Sequence, residues 1–572
     1  MRAYFFDALA GSAPRQEHAL STVSELRKLV ANQLARAAVE ARGLAAMRRA
    51  GIIGVDTPAN LARSGRALLR FGTVGGGLAN AAIRHPEVVG LRDDLGSLTF
   101  REMDERANAL ANGLAAEGLG ERAVIGVLCR NHRGLVDLTF GGSKAGFKLI
   151  YLNTDFAGPQ ARDVCAREGV QALVVDEEFL PVVEGVESRL GTFVAWHDAE
   201  PDADGLVHGK RTLGSLVAAS PVTDPKAPKK EGTIVILTSG TTGLPKGAPR
   251  AQPKTLAAPG AILTRIPFHE NGSVFVAPPL FHAWGLFMGI MTVATGSTLV
   301  LTRRFDPAEV LDTLAEHRCT GLIVVPVMLN RMLDLDDGGP AARDLGSLRF
   351  IASSGSQLEA PLATATMDAF GDILYNLYGS TEVAYATIAT PEDMRAAPGC
   401  VGKPALATTI RLVGDDGRDV GPGETGRVFV GNDMAFDGYT GGGDKERIDG
   451  LVATGDVGHF DGGGRLVIDG RDDDMIVSGG ENVFPGEVET LLDSHPDILE
   501  AAVIGVPDET MGQRLRAFVV CRHDASLTEA EVRAHVKANL ARYKVPKSVT
   551  FLDELPRNPT GKVLKRQLRD LP

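Results

Sequence analysis

From about residue 85 onward, short apolar runs rich in β-branched residues alternate with segments whose apolar positions recur every three or four residues. Leu98-Thr99-Phe100 leads into an amphipathic stretch over 102–116 that carries Asn108, Leu110 and Leu114. Residues 124–128, 149–152, 170–175 and 192–195 read as buried strands, with a helix over 134–145 between the first two. Such alternation predicts α/β units built on parallel sheets. Between 271 and 302 there is no Asp, Glu, Lys or Arg. Pro278-Pro279, His282 and several Gly and Thr break that run, so it reads as strand, loop, buried helix and strand (297–302) inside a folded domain, not as a membrane span.

The texture changes after residue 455. Gly462-Gly463-Gly464 reads as the turn of a hairpin between 458–460 and 465–469. Beyond Arg471-Asp472-Asp473-Asp474, helical patterns over 487–493, 528–540 and 562–569 and strand patterns over 500–505 and 516–522 predict a small α+β unit. The expected organisation is a helical extension over 1–80, a large N-terminal domain of α/β layered sheets over 81–472, and a small α+β C-terminal domain over 473–572.

Charge sets the extension apart. Residues 1–70 hold eleven Lys/Arg and five Asp/Glu, on a chain whose net charge is −12. Leu26, Leu29, Val30, Leu34, Ala37, Ala41 and Leu44 recur at helical spacing, while Lys28, Asn32, Arg36 and Glu40 occupy another face. A second amphipathic piece covers 61–71. Two readings follow: helices packed on the main domain, or a peripheral contact with a partner or the inner face of a membrane. The acidic chain as a whole argues against a general nucleic-acid binder. Cys129, Cys165, Cys319, Cys400 and Cys521 are scattered without a CxxC pair, which suits reduced thiols in a cytoplasmic protein. The opening residues lack the apolar core of a signal peptide.

The candidate chemistry begins where the apolar run Thr233-Ile234-Val235-Ile236-Leu237 enters Thr238-Ser239-Gly240-Thr241-Thr242-Gly243-Leu244-Pro245-Lys246-Gly247. Glycines let backbone N–H groups crowd an anion, hydroxyls add donors, and Lys246 adds a point charge, so the loop is suited to phosphate oxygens. No Gly-Lys-Ser/Thr closes it, which excludes a Walker A loop. Tyr378-Gly379-Ser380-Thr381-Glu382 follows a second apolar run and offers hard oxygen ligands beside a hydroxyl. Thr454-Gly455-Asp456 and Arg471 could meet ribose hydroxyls or a phosphate. Taken singly, each of these also reads as an ordinary polar turn.

The phosphate loop resembles the signature of the AMP-forming, adenylate-producing superfamily of acyl-CoA synthetases, luciferases and peptide-synthetase adenylation domains. Tyr378–Glu382, Asp456, Arg471 and the tail Pro556-Arg557-Asn558-Pro559-Thr560-Gly561-Lys562 continue the match in the family's order. By that resemblance the nucleotide lies against Thr238, Ser239, Gly240, Thr241, Thr242, Gly243 and Lys246. Gly355, Ser356 and Gln357 line the adenine, Tyr378 stacks on it beside Gly379 and Ser380, and Thr381 touches phosphate. Glu382, with Thr238, holds Mg²⁺; Asp456 holds the ribose and Arg471 assists. Lys562 is the main catalytic residue, working with Lys246, Thr381 and His282. Asp473 sits at the hinge of a mobile C-terminal domain, and Ser478, Gly479 and Gly480 border a tunnel for CoA.

Within the superfamily, Phe281-His282-Ala283-Trp284 resembles acyl- and aryl-CoA ligases. Amino-acid adenylating domains carry an acidic residue in this region, and none lies between 271 and 302. His282, Trp284, Gly285, Val327 and Gly379 then outline an apolar acyl pocket. The resemblance implies ATP, Mg²⁺ and CoA acting on a small carboxylic acid, here a medium- to long-chain fatty acid. An aryl acid, a carrier-protein acceptor and a non-catalytic nucleotide- or lipid-binding protein are the alternatives. The resemblance leaves a homodimer open.

Overall fold

The computed structural model describes residues 23–54, 56–238, 246–247, 256–414, 416–436, 438–439, 444–472, 476–478, 481–483, 485–508, 512–523, 525–540, 544–558 and 561–571. The chain divides into two compact units, one of Met1–Ile323, Gly346–Phe350 and Asp433–Asp444, the other of Val324–Leu345, Ile351–Asn432 and Lys445–Pro572.

The first unit is built on a sheet whose strands Thr233–Thr238, Lys148–Tyr151, Val124–Leu128, Ala172–Val175 and Thr192–Val194 run parallel in that order, with Lys246–Gly247 antiparallel on the edge. Val127, Leu173, Val174, Val175 and Val235 are fully buried. Strands covered on both faces need unbroken apolar runs, which is why these segments do not alternate. The helix Phe100–Ala116 opens on a capping box between Thr99 and Glu102. It lays Asp104 and Asn108 against Lys144 of the helix Arg133–Ala145, whose ammonium is fully buried at 2.5 Å from Asp104 and 2.7 Å from Asn108. A second set of strands in this unit runs Gly321–Val324, Ser273–Val276, Thr298–Val300, Val89–Asp93 and Gly96–Thr99. The uncharged stretch resolves as expected into Ser273–Val276, the helix Ala283–Ala294 and Thr298–Val300. No helix among the described residues is long and apolar enough to cross a membrane.

Two long helical stretches, Val23–Arg49 and Pro58–Arg84, the second kinked at Gly72 where φ is +71°, precede these sheets. The first docks through small residues. A Cβ at Gly43 would lie 2.7 Å from the Leu256 carbonyl oxygen. Ala46 and Ala50 are buried, and Glu40 accepts the Leu256 N–H at 3.2 Å. The larger apolar side chains of its periodic stripe, Leu34 and Leu44, are exposed. Close approach selects the small face for packing and turns the leucines outward.

In the second unit Phe350–Ser353 and Leu374–Tyr378 are parallel, followed by antiparallel Thr387–Ala389 and Lys403–Pro404. An antiparallel sheet joins Thr409–Val413, Gly426–Gly431 and Leu451–Phe460, and Leu466–Arg471 folds back on the last of these. This is the hairpin expected around the triple glycine. The C-terminal part is the small α+β domain. Ile498–Asp508 pairs with Gly512–Cys521, Ser548–Phe551 lies parallel to the latter, and the helices Pro485–Asp493 and Glu529–Asn539 cover the sheet. Its core is Ile476, Val488, Leu492, Val503, Ala517 and Val536. Thr490 of the first helix donates to Glu359 at 2.6 Å. The five cysteines are free thiols.

Removing one partner of a buried ion pair leaves the other desolvated and uncompensated. Lys144→Ala is therefore expected to cost about 3 kcal/mol, read as a lowered urea midpoint of the first unfolding transition followed by circular dichroism.

Candidate active site

In the first unit, the strand Thr233–Thr238 delivers the chain to the Gly/Thr loop, and the chain returns with Lys246 directly across the ladder from Thr238. Ser239, Gly240, Thr241, Thr242 and Gly243 lie outside the described residues, as do the side chains of Thr238 and Lys246. His282 ends a tight turn, its N–H donating to the Pro279 carbonyl at 3.1 Å, and forms the N-cap of the helix Ala283–Ala294. Its side chain makes no capping bond. The ring packs against Phe281 at 4.6 Å, and its Nε2 is buried without a hydrogen-bond partner among the described residues. Burial lowers its pKa to about 4, so the ring is neutral near pH 7. Gly285 is needed for a local reason: a Cβ there would meet the Pro279 and Pro278 carbonyl oxygens at 2.5 and 2.7 Å.

The turn that presents His282 is braced by a residue the sequence did not single out. Buried Asn131 donates to the Pro278 carbonyl at 3.0 Å and accepts the Leu280 N–H at 2.7 Å. Next to it, His132 Nε2 meets Asp176 at 2.7 Å while its Nδ1 accepts the Gly134 N–H. Asp176 also accepts the Arg130 N–H at 2.8 Å. Cys129, His132 and Asp176 stand close enough to suggest a metal. Both imidazole nitrogens are already engaged, however, and burial pushes the Cys129 thiol well up, so the trio reads as a structural clasp.

The second unit carries its own polar cluster. The Tyr378 hydroxyl, at the end of Leu374–Tyr378, donates to Asp456 at 2.5 Å and lies 3.2 Å from the Thr454 hydroxyl. Asp456 pairs with Arg471 in the ladder, and their side chains meet at 3.3 Å. Thr454 is buried; its hydroxyl donates to the Val428 carbonyl and accepts the Asp456 N–H. Burial raises the Asp456 carboxyl, opposed by the Tyr378 hydrogen bond and by the charges of Arg471 and Lys562. Burial likewise holds the Tyr378 phenol well above its usual value, so it stays a neutral donor. Gly379 lies under the Ser380–Ala384 turn, where a Cβ would sit 2.4 Å from the Ala384 carbonyl oxygen. Within that turn Ser380 accepts the Glu382 N–H at 3.2 Å, and Thr381 and Glu382 are half-buried.

Lys562 leaves a short hairpin. The Asn558 N–H donates to the Lys562 carbonyl and the Lys562 N–H donates to the Asn558 side-chain oxygen, each at 2.9 Å, and Gly561 turns at φ +80°. Gly561 is seated on Val327, where a Cβ would lie 2.3 Å from Val327 Cγ1. A side chain would suffer both in conformation and in space there. Gly355 is exposed, Ser356 half-buried, and Gln357 lies 3.8 Å from where a Cβ of Gly486 would be. Asp473, Gly479, Gly480 and the side chain of Ser478 lie outside the described residues.

The chain matches the AMP-binding enzyme family over residues 78–440 and the AMP-binding enzyme C-terminal domain over residues 487–562. The chain belongs to the AMP-forming acyl-CoA synthetase family. An indoleacetate–CoA ligase of Aromatoleum aromaticum is 34% identical over 86% of the chain and 94% of its own length. A fatty acid–[acyl-carrier-protein] ligase of Streptomyces coeruleorubidus is 29% identical over 83% and 91%. Among solved structures, an anthranilate CoA ligase in complex with anthranoyl-AMP superposes with a TM-score of 0.77 at 27% identity, covering 87% of this chain and 96% of that one.

The synthetase thus brings Tyr378, Asp456 and Arg471 together and sets Lys562 near them. Thr454 and Asn558 were named only as parts of their motifs; Asn131 was not anticipated, and neither was Lys445, whose ammonium comes within 3.7 Å of a Cβ built on Gly455. For Thr454 the signal was its place two residues before the aspartate on one strand face. Asn131 carried none, because its partners lie about 150 residues away in sequence.

A histidine whose folded pKa is depressed contributes stability above its unfolded value, near 6.5, and loses it as pH falls toward about 4. The wild type is therefore expected to lose roughly 2 kcal/mol more than His282→Gln between pH 7.5 and pH 5, measured as urea midpoints at the two pH values.

Proposed function

We propose that this acid–thiol ligase converts a medium- to long-chain fatty acid to its acyl-AMP and then to acyl-CoA. The observation that carries the reading is the buried Asp456, held by Tyr378 and Arg471 with the Lys562 charge close by. A carboxylate accepting from both ribose hydroxyls, with cations beside it for the α-phosphate, is a nucleotide-holding arrangement.

In the first step a carboxylate oxygen of the fatty acid attacks the α-phosphorus of ATP. The bond to the β-phosphate oxygen breaks and pyrophosphate leaves. Lys562 and Lys246 offset the charge gathering on the α-phosphate and on the bridging oxygen. His282, neutral and with a free ring nitrogen, orients the acid's carboxylate by one hydrogen bond. Glu382, an oxygen donor in a half-buried turn and so of a kind that suits a hard cation, would hold Mg²⁺ along with phosphate oxygens; the ion would neutralise phosphate charge there. In the second step the CoA thiol gives up its proton to solvent and attacks the acyl carbonyl, and AMP departs with the electrons of the broken acyl–phosphate anhydride bond. A pivot at Asp473 that withdraws Lys562 and brings residues 478–480 to the pantetheine separates the two steps.

The apolar and basic helices at the N-terminus favour an acid that partitions into lipid. A second reading, an aryl acid, is favoured by the relatives named for indoleacetate and anthranilate. AMP release with CoA over acetate, octanoate, palmitate, benzoate and indoleacetate separates the two; best turnover of an aryl acid would overturn the fatty-acid reading. Lys562→Ala is expected to lower acid-dependent ATP–pyrophosphate exchange by roughly a hundred-fold or more. The same variant should largely spare thioester formation from supplied acyl-AMP, and equal loss of both steps would remove Lys562 from its assigned role.

A further inference from the structure

On the helix Val23–Arg49, residues 34, 37, 38, 41, 44 and 45 are all Leu or Ala, fall on one face by their three- and four-residue spacing, and are all exposed. The opposite face, with Gly43, Ala46 and Ala50, is the one buried against the protein. The helix Pro58–Arg84 repeats the arrangement in its first half. Ser64, Ala67 and Phe71 are buried, while Leu61, Leu68 and Leu69 point outward. These five leucines are between 42% and 66% exposed, and they are five of the eight large apolar side chains singled out as exposed among the described residues. A stripe of this kind is costly in water and calls for an occupant.

Charge selects the occupant. Arg36, Arg42, Arg48, Arg49, Arg63 and Arg66 are exposed along the same two helices, and none forms an ion pair among the described residues. The described acids nearby are engaged elsewhere: Glu40 on the Leu256 N–H and Asp56 with Arg84. A second copy of the chain laid on this face would set arginine against arginine. A surface of lipid phosphates would receive the leucines in its acyl boundary and the guanidinium groups at its headgroups. The family match begins at residue 78, so this face belongs to a part of the chain the shared catalytic fold does not need.

We propose that the outward faces of the helices Val23–Arg49 and Pro58–Arg84 dock the protein peripherally on an anionic bilayer, leucines inserted and arginines on the phosphates. The full-length chain should sediment with vesicles of phosphatidylcholine mixed with phosphatidylglycerol and stay in solution with phosphatidylcholine alone. Binding should weaken as salt rises, because exposed charges are screened. The triple change Leu61→Glu, Leu68→Glu, Leu69→Glu should lower vesicle partitioning roughly ten-fold or more, and so should Arg36→Ser, Arg42→Ser, Arg48→Ser, Arg49→Ser. Both variants alter exposed positions and should keep wild-type turnover of a water-soluble acid, so a folding defect would be visible. Absence of sedimentation with either vesicle, or sedimentation unaffected by both variants, would overturn the proposal. So would a dimer in analytical ultracentrifugation that the leucine variant dissolves while vesicles are ignored, which would assign the face to a second copy. Vesicle binding needs no turnover, so its outcome is independent of which acid is activated.

Discussion

The hydrogen bond from the Tyr378 hydroxyl to Asp456 is the interaction on which the polar cluster of the second unit depends. It ties the end of a strand in a largely parallel layer to a strand in a separate antiparallel sheet. A phenol held neutral by burial donates to a carboxylate that burial disfavours, and each makes the other tolerable. Arg471 reaches the same carboxylate from the partner strand of the hairpin, and Thr454 fixes the strand's own backbone beneath it. Four residues from three strands thereby act as one polar unit, with its donors and acceptors already directed before any ligand arrives.

The His282 turn of the first unit relies on backbone placement more than on side-chain contacts. Asn131 substitutes its amide for a peptide group, bonding both a carbonyl and an N–H of the turn before His282, as a neighbouring strand would. That turn is therefore tied to the loop between the strand Val124–Leu128 and the helix Arg133–Ala145. Among the described residues the Nε2 at its end has no partner, a cost the fold bears at one atom, which is typical of places where a ligand completes the hydrogen bonding.

Much of the layered fold was legible because strands buried on both faces leave unbroken β-branched runs, and 124–128 and 233–237 are such runs. The helix over 283–294 was legible from its apolar length between two breaks. The hairpin around Gly462-Gly463-Gly464 was legible from turn chemistry. What the pattern could not show was which face of a helix wins. Leu34 and Leu44 mark the more hydrophobic side of the first helix, yet Gly43, Ala46 and Ala50 are buried, because backbone proximity to Leu256 rewards small residues over greasy ones. At the site, Tyr378, Asp456 and Arg471 could be named from local motifs. Asn131 could not, since its role exists only through contacts distant in sequence. Gly285 and Gly379 looked like pocket walls, and each also has a plain steric reason in its own turn.

Gly561 meets Val327 without a side chain of its own. The hairpin carrying Lys562 is therefore positioned by shape while burying little apolar surface of its own at that point. Since the hydrophobic contribution scales with apolar area removed from water, undocking there sacrifices little of it. A lysine delivered in this way is accurately located when docked and cheaply released, a balance that suits the two-step reading proposed above.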